Sequence, residues 1–305
     1  MMRKPNFFII GAPKCGTTSW ASWLAEHPQV YFSPLKEPHF FGADVEHKAR
    51  PTPKQYEALF RPATAQHQAI GEGSTSYLAS RTAVPDIEAY TGGQAKYIVC
   101  LRTPVEIAPS SYAQQCADLG QKLGNFEELW RQNARFAADA GNSARYSPFA
   151  GLFEFWRIGA QLRRLYERVP RARVFVILLD DVRADPRGVY LSVLDFLGVD
   201  DDGRTDFPVE NGFKIVRSSL LARLPHVLAA AKAKSGINTN FGIGVGRFIH
   251  KLNYKFLDKP RLSPELRAEM QDYFRDDILL LQELLGRDLS HWLAPMAPPQ
   301  VGVAD

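Results

Sequence analysis

The chain has 305 residues, of which 45% are hydrophobic and 23% charged, with a formal net charge of +4. These values describe an ordinary globular protein with a substantial core, long enough for one large α/β domain or two smaller ones. So mild a positive charge favours anionic ligands slightly and gives no argument for a nucleic-acid partner. The cysteines, Cys15, Cys100 and Cys116, are scattered without metal-ligand spacing, so reduced thiols and no metal site are expected. No apolar run approaches the roughly 18 residues of a membrane span. Phe7–Ile10, behind the basic Met1–Lys4, is too short for a signal-peptide core. A cytoplasmic protein without a membrane span is the expectation.

In chain order, Phe7–Ile10 is a continuous apolar run, the mark of a strand buried on both faces. Gly11-Ala12-Pro13-Lys14-Cys15-Gly16 follows as a tight turn, and Thr17-Thr18 opens a helix carrying Trp20, Trp23 and Leu24 that stops at Pro28. Strand, glycine-bounded loop and helix start together aim backbone N–H groups at a phosphate. A Walker A loop would have lysine after its second glycine, beside the hydroxyl that binds Mg²⁺. Here Gly11 and Gly16 keep the spacing, but Thr17 holds the lysine position and the loop lysine is Lys14. A nucleoside-triphosphate enzyme is therefore disfavoured; a plain strand-to-helix turn stays open from these residues alone.

Val30–Phe32 is the next strand, and Pro34 and Pro38 keep the following segment extended. Lys54–Phe60 reads as a short helix after an exposed loop, Gly42–Pro53. Gly71–Leu78 reads as a loop rich in hydroxyls. Lys96–Leu101 is a second buried strand, and a helix begins near Pro104. Asn125 caps a helix over Phe126–Ala140, with Glu127 and Glu128 in its first turn. Leu152–Val169 forms another helix, with Arg157, Arg163, Arg164 and Arg168 on its solvated side. Val174–Leu179 is the third strong strand, ended by Asp180-Asp181, and Arg187–Leu197 is a helix stopped by Gly198. Asn211–Leu224 starts irregular and turns helical, and Lys232–Gly246 is a polar loop. Within it Phe241–Gly246 lacks both the strand and the spacing of a dinucleotide fingerprint. Ser263 caps a helix whose apolar face runs from Leu266 to Leu285. The predicted fold is α/β, a P-loop-like parallel sheet with helices on both faces, in a single domain over residues 1–293 with a disordered tail over 294–305.

Ligands of parallel sheets bind beyond the carboxyl ends of the strands. The Lys14 loop, Lys36–His39, Arg102 and Asp180-Asp181 all fall at such ends. Arg102 closes a strand and Ser110 lies about two helical turns further on. That pairing suits a second, separate phosphate. A nucleotide with phosphate groups at both ends would use both places.

The opening loop, Lys36-Glu37-Pro38-His39-Phe40-Phe41, the Gly71–Leu78 stretch, Arg102-Thr103-Pro104-Val105-Glu106 with Ser110, and the Leu262–Trp292 segment together resemble a sulfotransferase using 3′-phosphoadenylyl sulfate (PAPS). The pattern is nearest to bacterial sulfotransferases and the heparan sulfate sulfotransferase group, and it covers nearly the whole chain. The resemblance implies that Pro13, Lys14, Cys15, Gly16, Thr17, Thr18 and Ser19 bind the 5′-phosphosulfate. It implies that Arg102 and Ser110 hold the 3′-phosphate and that Arg217 is a further phosphate contact. Glu37 matches the carboxylate base of the glycan enzymes, and His39 is a neighbouring active-site position and the alternative base. The implied reaction is sulfuryl transfer from PAPS to a hydroxyl of a small molecule or glycan, releasing PAP without a metal. Lys14 would neutralise the leaving phosphate oxygen, and Glu37 beside Phe40 and Phe41 is expected to have a raised pKa. Two departures stand out: Gly73 in place of the lysine of the glycan enzymes, and Thr103 in place of their Asp or Asn. A P-loop kinase and a PAP-binding protein without turnover are the other readings.

Overall fold

The computed structural model describes residues 3–47, 49–118, 124–138, 153, 155–209, 214–216, 254–256 and 262–295. Five strands, β1 (Phe7–Gly11), β2 (Val30–Phe32), β3 (Ala69–Gly73), β4 (Lys96–Leu101) and β5 (Val174–Leu178), form one sheet in the order β2-β3-β1-β4-β5. All four pairings are parallel. The helices that link them are α1 (Thr17–Ala25), α2 (Pro53–Ala58), α3 (Ala83–Thr91), α4 (Pro104–Asp118), α5 (Phe126–Ala138) and α6 (Ile158–Tyr166). After β5 come α7 (Leu179–Ala184) and α8 (Pro186–Leu197), then the short antiparallel pair β6 (Lys214–Val216) and β7 (Tyr254–Phe256). Helices α9 (Pro264–Tyr273) and α10 (Arg275–Leu285) complete the described fold. No helix among the described residues is long and apolar enough to cross a membrane.

β1 sits at the centre because its side chains have no solvent face: Phe7, Phe8, Ile9 and Ile10 are each 0% exposed. Full burial of each such side chain stabilises the fold by about 1.5–3 kcal/mol. From β1 the chain runs out to β2, returns through β3, and crosses to β4 and β5 on the other side. The carboxyl end of β1 therefore lies where the direction of winding changes, the place at which open parallel sheets form a crevice.

Several local expectations are corrected. Gly71-Glu72-Gly73 belongs to β3 and not to a loop. The missing side chain is what allows it, since a Cβ at Gly71 would lie 2.4 Å from the Phe7 ring. Helix α3 was not foreseen: its Pro85 looks like a breaker but falls in the first turn, where no N–H is needed. The segment over Leu152–Val169 is interrupted at Arg157 (φ −80°, ψ 73°), and the Asp277 carboxylate accepts from the N–H groups of Gly159 and Ala160, both at 2.9 Å. Arg164 is not on a solvated side; its guanidinium donates to the carbonyls of Leu78 and Ala79, each at 2.8 Å. The long C-terminal helix is two helices, parted at the fully buried Phe274 (φ −94°, ψ 2°). Lys214–Val216, expected to precede a helix in an irregular stretch, is a strand. The loop over Lys232–Gly246 and residues 296–305 of the expected tail lie outside the described residues.

Candidate active site

The Lys14 loop is built from main chain. Ala12 N donates to Cys100 O at 2.6 Å, which carries the loop over the end of β4. Leu78 N donates to Ile10 O at 2.8 Å, which closes the segment after β3 against it. That contact needs glycine at position 11, whose φ is +152° and whose Cβ would lie 2.8 Å from that of Leu78. Gly16 then enters α1 at φ 86° with no side chain capping the first turn. The start of α1 carries the positive end of the helix dipole, a field that suits an anion. Lys14 has φ 64°, and its Nζ donates to Gln114 Oε1 of α4 at 3.3 Å. Cys15, Thr17 and Ser19 are buried. Burial pushes the Cys15 thiol up to about 12, although the Arg102 and Lys14 charges both pull it down.

Arg102, at the end of β4, is 4% exposed, and Ser110 in α4 is 6% exposed. The guanidinium forms an ion pair with Glu106, one turn into α4, and Arg183 stands 3.3 Å from the same carboxylate. Burial, and then the Arg183 charge, lower the Arg102 pKa to about 10, still a cation at neutral pH. The hydroxyl of Thr103 is buried beside it with no hydrogen-bond partner among the described residues. A buried cation and an unpartnered hydroxyl at one strand end fit an anionic group better than an apolar one. Asp180 and Asp181, the other pair noted at a strand end, are engaged elsewhere. Asp180 accepts from Trp292 Nε1 at 2.7 Å and pairs with Arg183, and Asp181 pairs with Arg287.

Glu37 and His39 stand beyond the end of β3, where Glu37 N donates to Gly73 O at 2.9 Å. Both have positive φ, 58° and 48°, a conformation that costs a non-glycine residue energy and persists only where neighbours over-determine it. The determinants are visible. The Arg50 guanidinium donates to the carbonyls of His39 (2.7 Å), Phe41 (2.8 Å) and Gly42 (2.5 Å), and also to that of Val45. His39 N donates to Ser74 Oγ at 3.1 Å. Phe40 stacks on Tyr56 at 4.2 Å, and Phe41 packs against Tyr56, Tyr77 and Tyr90. Beneath them Glu72, 0% exposed, accepts from Ser74 Oγ and Tyr77 OH, both at 2.8 Å, and from Tyr56 OH at 3.3 Å. Burial raises the Glu72 carboxyl to about 7 against the pull of these donors.

The expectation of a raised pKa at Glu37 is wrong. Burial does push it up, but the His39 hydrogen bond and the Lys36 charge outweigh burial and hold it at about 2. Lys36 Nζ is 2.8 Å from Oε1 and His39 Nε2 is 3.3 Å from Oε2. Phe40 and Phe41 turn toward the tyrosines and not toward the carboxylate, which is why no apolar pocket forms around it. Lys14, Gly16, Arg102, Glu37 and His39 follow the carboxyl ends of β1, β4 and, through the Glu37–Gly73 bond, β3, while Ser110 lies further along α4. Arg217 lies outside the described residues. Sequence reasoning missed Arg50, Ser76, His47 and the Glu72 hydrogen-bond hub; His47, in a polar loop, carries no local motif at all. Among the described residues no cluster of His, Cys, Asp and Glu has the makings of a metal site.

Comparison with known proteins agrees with this geometry. The chain is 26% identical over 289 residues to mouse (Mus musculus) heparan sulfate glucosamine 3-O-sulfotransferase 3A1, an alignment covering 93% of this chain and 63% of that protein. It is 57% identical over 37 residues to human (Homo sapiens) carbohydrate sulfotransferase 15, covering 12% of this chain and 7% of that protein. The chain thus spans under two thirds of the length of the 3-O-sulfotransferase it matches. The fold is similar to that of a sulfotransferase from Alicyclobacillus acidocaldarius, with a TM-score of 0.69, 24% identity and coverage of 96% of this chain and 100% of that one. The family model of the sulfotransferase domain matches residues 4–282, so the chain belongs to the sulfotransferase domain family.

Proposed function

We propose that this chain transfers a sulfuryl group from PAPS to a hydroxyl, with a carbohydrate as the acceptor class. The observation that carries this reading is the meeting of two cationic grips, Lys14 and Arg102, with a carboxylate–imidazole pair, Glu37 and His39, at neighbouring strand ends. PAPS supplies the sulfuryl group, with a phosphate at its 5′ side as the leaving group and a second phosphate at the 3′ position. The α1 amides and Lys14 Nζ hold the 5′ side, and Lys14 neutralises the charge that grows on the bridging oxygen. Arg102, Ser110 and the free hydroxyl of Thr103 hold the 3′-phosphate, which displaces Glu106 from the guanidinium. Arg217 adds a phosphate contact from the C-terminal part.

The acceptor's proton goes to the Glu37–His39 pair. Glu37 is ionised throughout the neutral range and its two oxygens are already oriented by Lys36 and His39. A carboxylate this acidic is a weak base, so it works as part of the pair and late in the transfer, when the acceptor oxygen has become acidic. Lys36 is the cation offered for the charge missing at Gly73: it pairs with Glu37, whose N–H donates to Gly73 O. The relatives' names, which refer to heparan sulfate glucosamine and to carbohydrate, support a sugar hydroxyl as acceptor.

Incubation with PAPS or ATP, with and without Mg²⁺, over a panel of sugar and phenolic acceptors tests the reading. PAP release without metal in the presence of a sugar acceptor is expected. Metal-dependent ADP release would replace it with a kinase, and tight PAP binding with no turnover would leave a nucleotide-binding protein.

A further inference from the structure

Behind Glu37 a line of polar groups runs outward. His39 Nε2 lies 3.3 Å from Glu37 Oε2, and His39 Nδ1 lies 3.0 Å from Ser76 Oγ. The same hydroxyl oxygen is 3.1 Å from Nε2 of His47. The two imidazoles are stacked, with centroids 3.6 Å apart and planes 12° from parallel. Ser76 is buried and His47 is half-buried, so the line begins at the carboxylate and ends at the surface. A serine hydroxyl has one proton and two lone pairs, so Ser76 donates to one ring while accepting from the other.

We propose that Ser76 and His47 are a proton relay that carries the acceptor's proton from the Glu37–His39 pair to solvent. This rests on the proposed role of that pair. Neutral His39 enters the relay as the tautomer with its proton on Nδ1, not the one that donates to ionised Glu37; Glu37, protonated by the acceptor hydroxyl, passes its proton to the bare Nε2. His39 Nδ1–H passes its own proton to Ser76 Oγ, as the Ser76 hydroxyl proton moves to His47 Nε2. Only N–H and O–H bonds form and break, no electrons are transferred between centres, and the positive charge ends on His47. Water takes a proton from His47 Nδ1; a turn of the hydroxyl and exchange of the ring tautomers with water restore the start.

The energetics run in the right direction. Glu37 is held at about 2, its burial outweighed by the His39 hydrogen bond and the Lys36 charge. His47 is lowered to about 4, by burial first and then by the charges of His39 and Arg50, with Glu37 pulling the other way. Held below the ordinary imidazole range, His47 releases a proton to water at neutral pH. The charged and titratable groups facing His47 are His39, Arg50 and Glu37, with Lys36 beyond Glu37. Two parallel rings in contact do not both carry a charge comfortably, so a proton reaching one is pushed onward. Ser76 and His47 touch no reacting atom; they act through His39.

The test compares wild type, Ser76→Ala, Ser76→Thr, His47→Phe and His47→Ala in PAPS turnover with a sugar acceptor. His47→Phe keeps a stacked ring and removes the nitrogen. Ser76→Ala and His47→Phe are expected to lower kcat about tenfold, a modest share of what general acid–base catalysis contributes, with KM for PAPS unchanged. Ser76→Thr is expected to keep the wild-type rate, and added imidazole to restore His47→Ala. Wild-type kcat in Ser76→Ala and His47→Phe overturns the relay while leaving PAPS turnover standing; so does a His47→Ala loss that imidazole does not repair. Absence of PAP release from the wild type overturns the transfer itself, and the relay with it.

Discussion

The two sides of the crevice are held by different kinds of contact. The Lys14 loop is shaped by main chain: a strand with no exposed side chain, a glycine-bounded turn and an uncapped helix start, all within one short stretch. On the acceptor side Glu37 and His39 sit at positive φ and are kept there by side chains from far along the chain. Arg50 clamps the carbonyls of His39, Phe41, Gly42 and Val45; Tyr56, Tyr77 and Tyr90 pave the floor, and Glu72 ties the floor together. A phosphate grip can be local in sequence because backbone amides do the binding. A base has to be aimed, and aiming takes tertiary structure.

That difference can be sharpened or broken by substitution. Lys14→Ala carries the largest expected effect: kcat for PAP release falls about 100- to 1,000-fold, while PAP affinity by calorimetry changes little, because the amides remain. Glu37→Gln is expected to lower kcat about 100-fold with KM for PAPS unchanged. If Glu37→Gln keeps near-normal turnover and His39→Asn does not, the base is His39 alone. Arg102→Ala is a donor-side change of the opposite kind, expected to raise KM for PAPS about 10- to 100-fold with a smaller effect on kcat.

Below these lie effects on the acceptor-side scaffold. The Glu72 carboxyl, raised from 4.5 to about 7 by burial, favours its protonated form in the fold. Its stabilising contribution is therefore complete below the unfolded value and is lost as pH rises through about 7. Relative to Glu72→Gln, wild type is expected to lose about 2–3 kcal/mol between pH 5 and pH 8 in urea unfolding. The comparison with the variant is needed because His47, lowered to about 4, works in the other sense, its contribution being present above 6.5 and lost as pH falls. Arg50→Ala leaves carbonyls without a donor and is expected to cost about 1–2 kcal/mol. It should lower kcat more than it raises KM for PAPS, because it loosens the base and not the donor grip.

The same contrast explains what the sequence made legible. Phe7–Ile10 and Lys96–Leu101 announce buried parallel strands by continuous apolar runs, Val174–Leu178 is an equally apolar but half-buried edge strand, and the sheet follows from them. The Lys14 loop and Arg102 are short motifs, and their places after β1 and β4 follow from the strands that carry them. Gly71-Glu72-Gly73 could not be read as strand, because its place depends on Phe7 filling the space of the missing side chain. The depressed pKa of Glu37 was illegible for a similar reason. Lys36, His39, Phe40 and Phe41 are all its neighbours in sequence, and only the folded backbone decides that Lys36 and His39, with the distant Thr75, contact the carboxylate while the two rings pack on the tyrosines. His47 and Arg50 reach the site from a loop whose composition says only that it is polar.

The most direct test of the two-ended grip is a calorimetric titration with PAP and with ADP, which lacks the 3′-phosphate, on wild type and Arg102→Ala without metal. Wild type is expected to prefer PAP by about 10- to 100-fold, and Arg102→Ala to lose most of that preference while still binding both. Equal affinity of wild type for PAP and ADP would contradict the assignment of Arg102 to a second phosphate, and with it the reading of the site as one that receives PAPS.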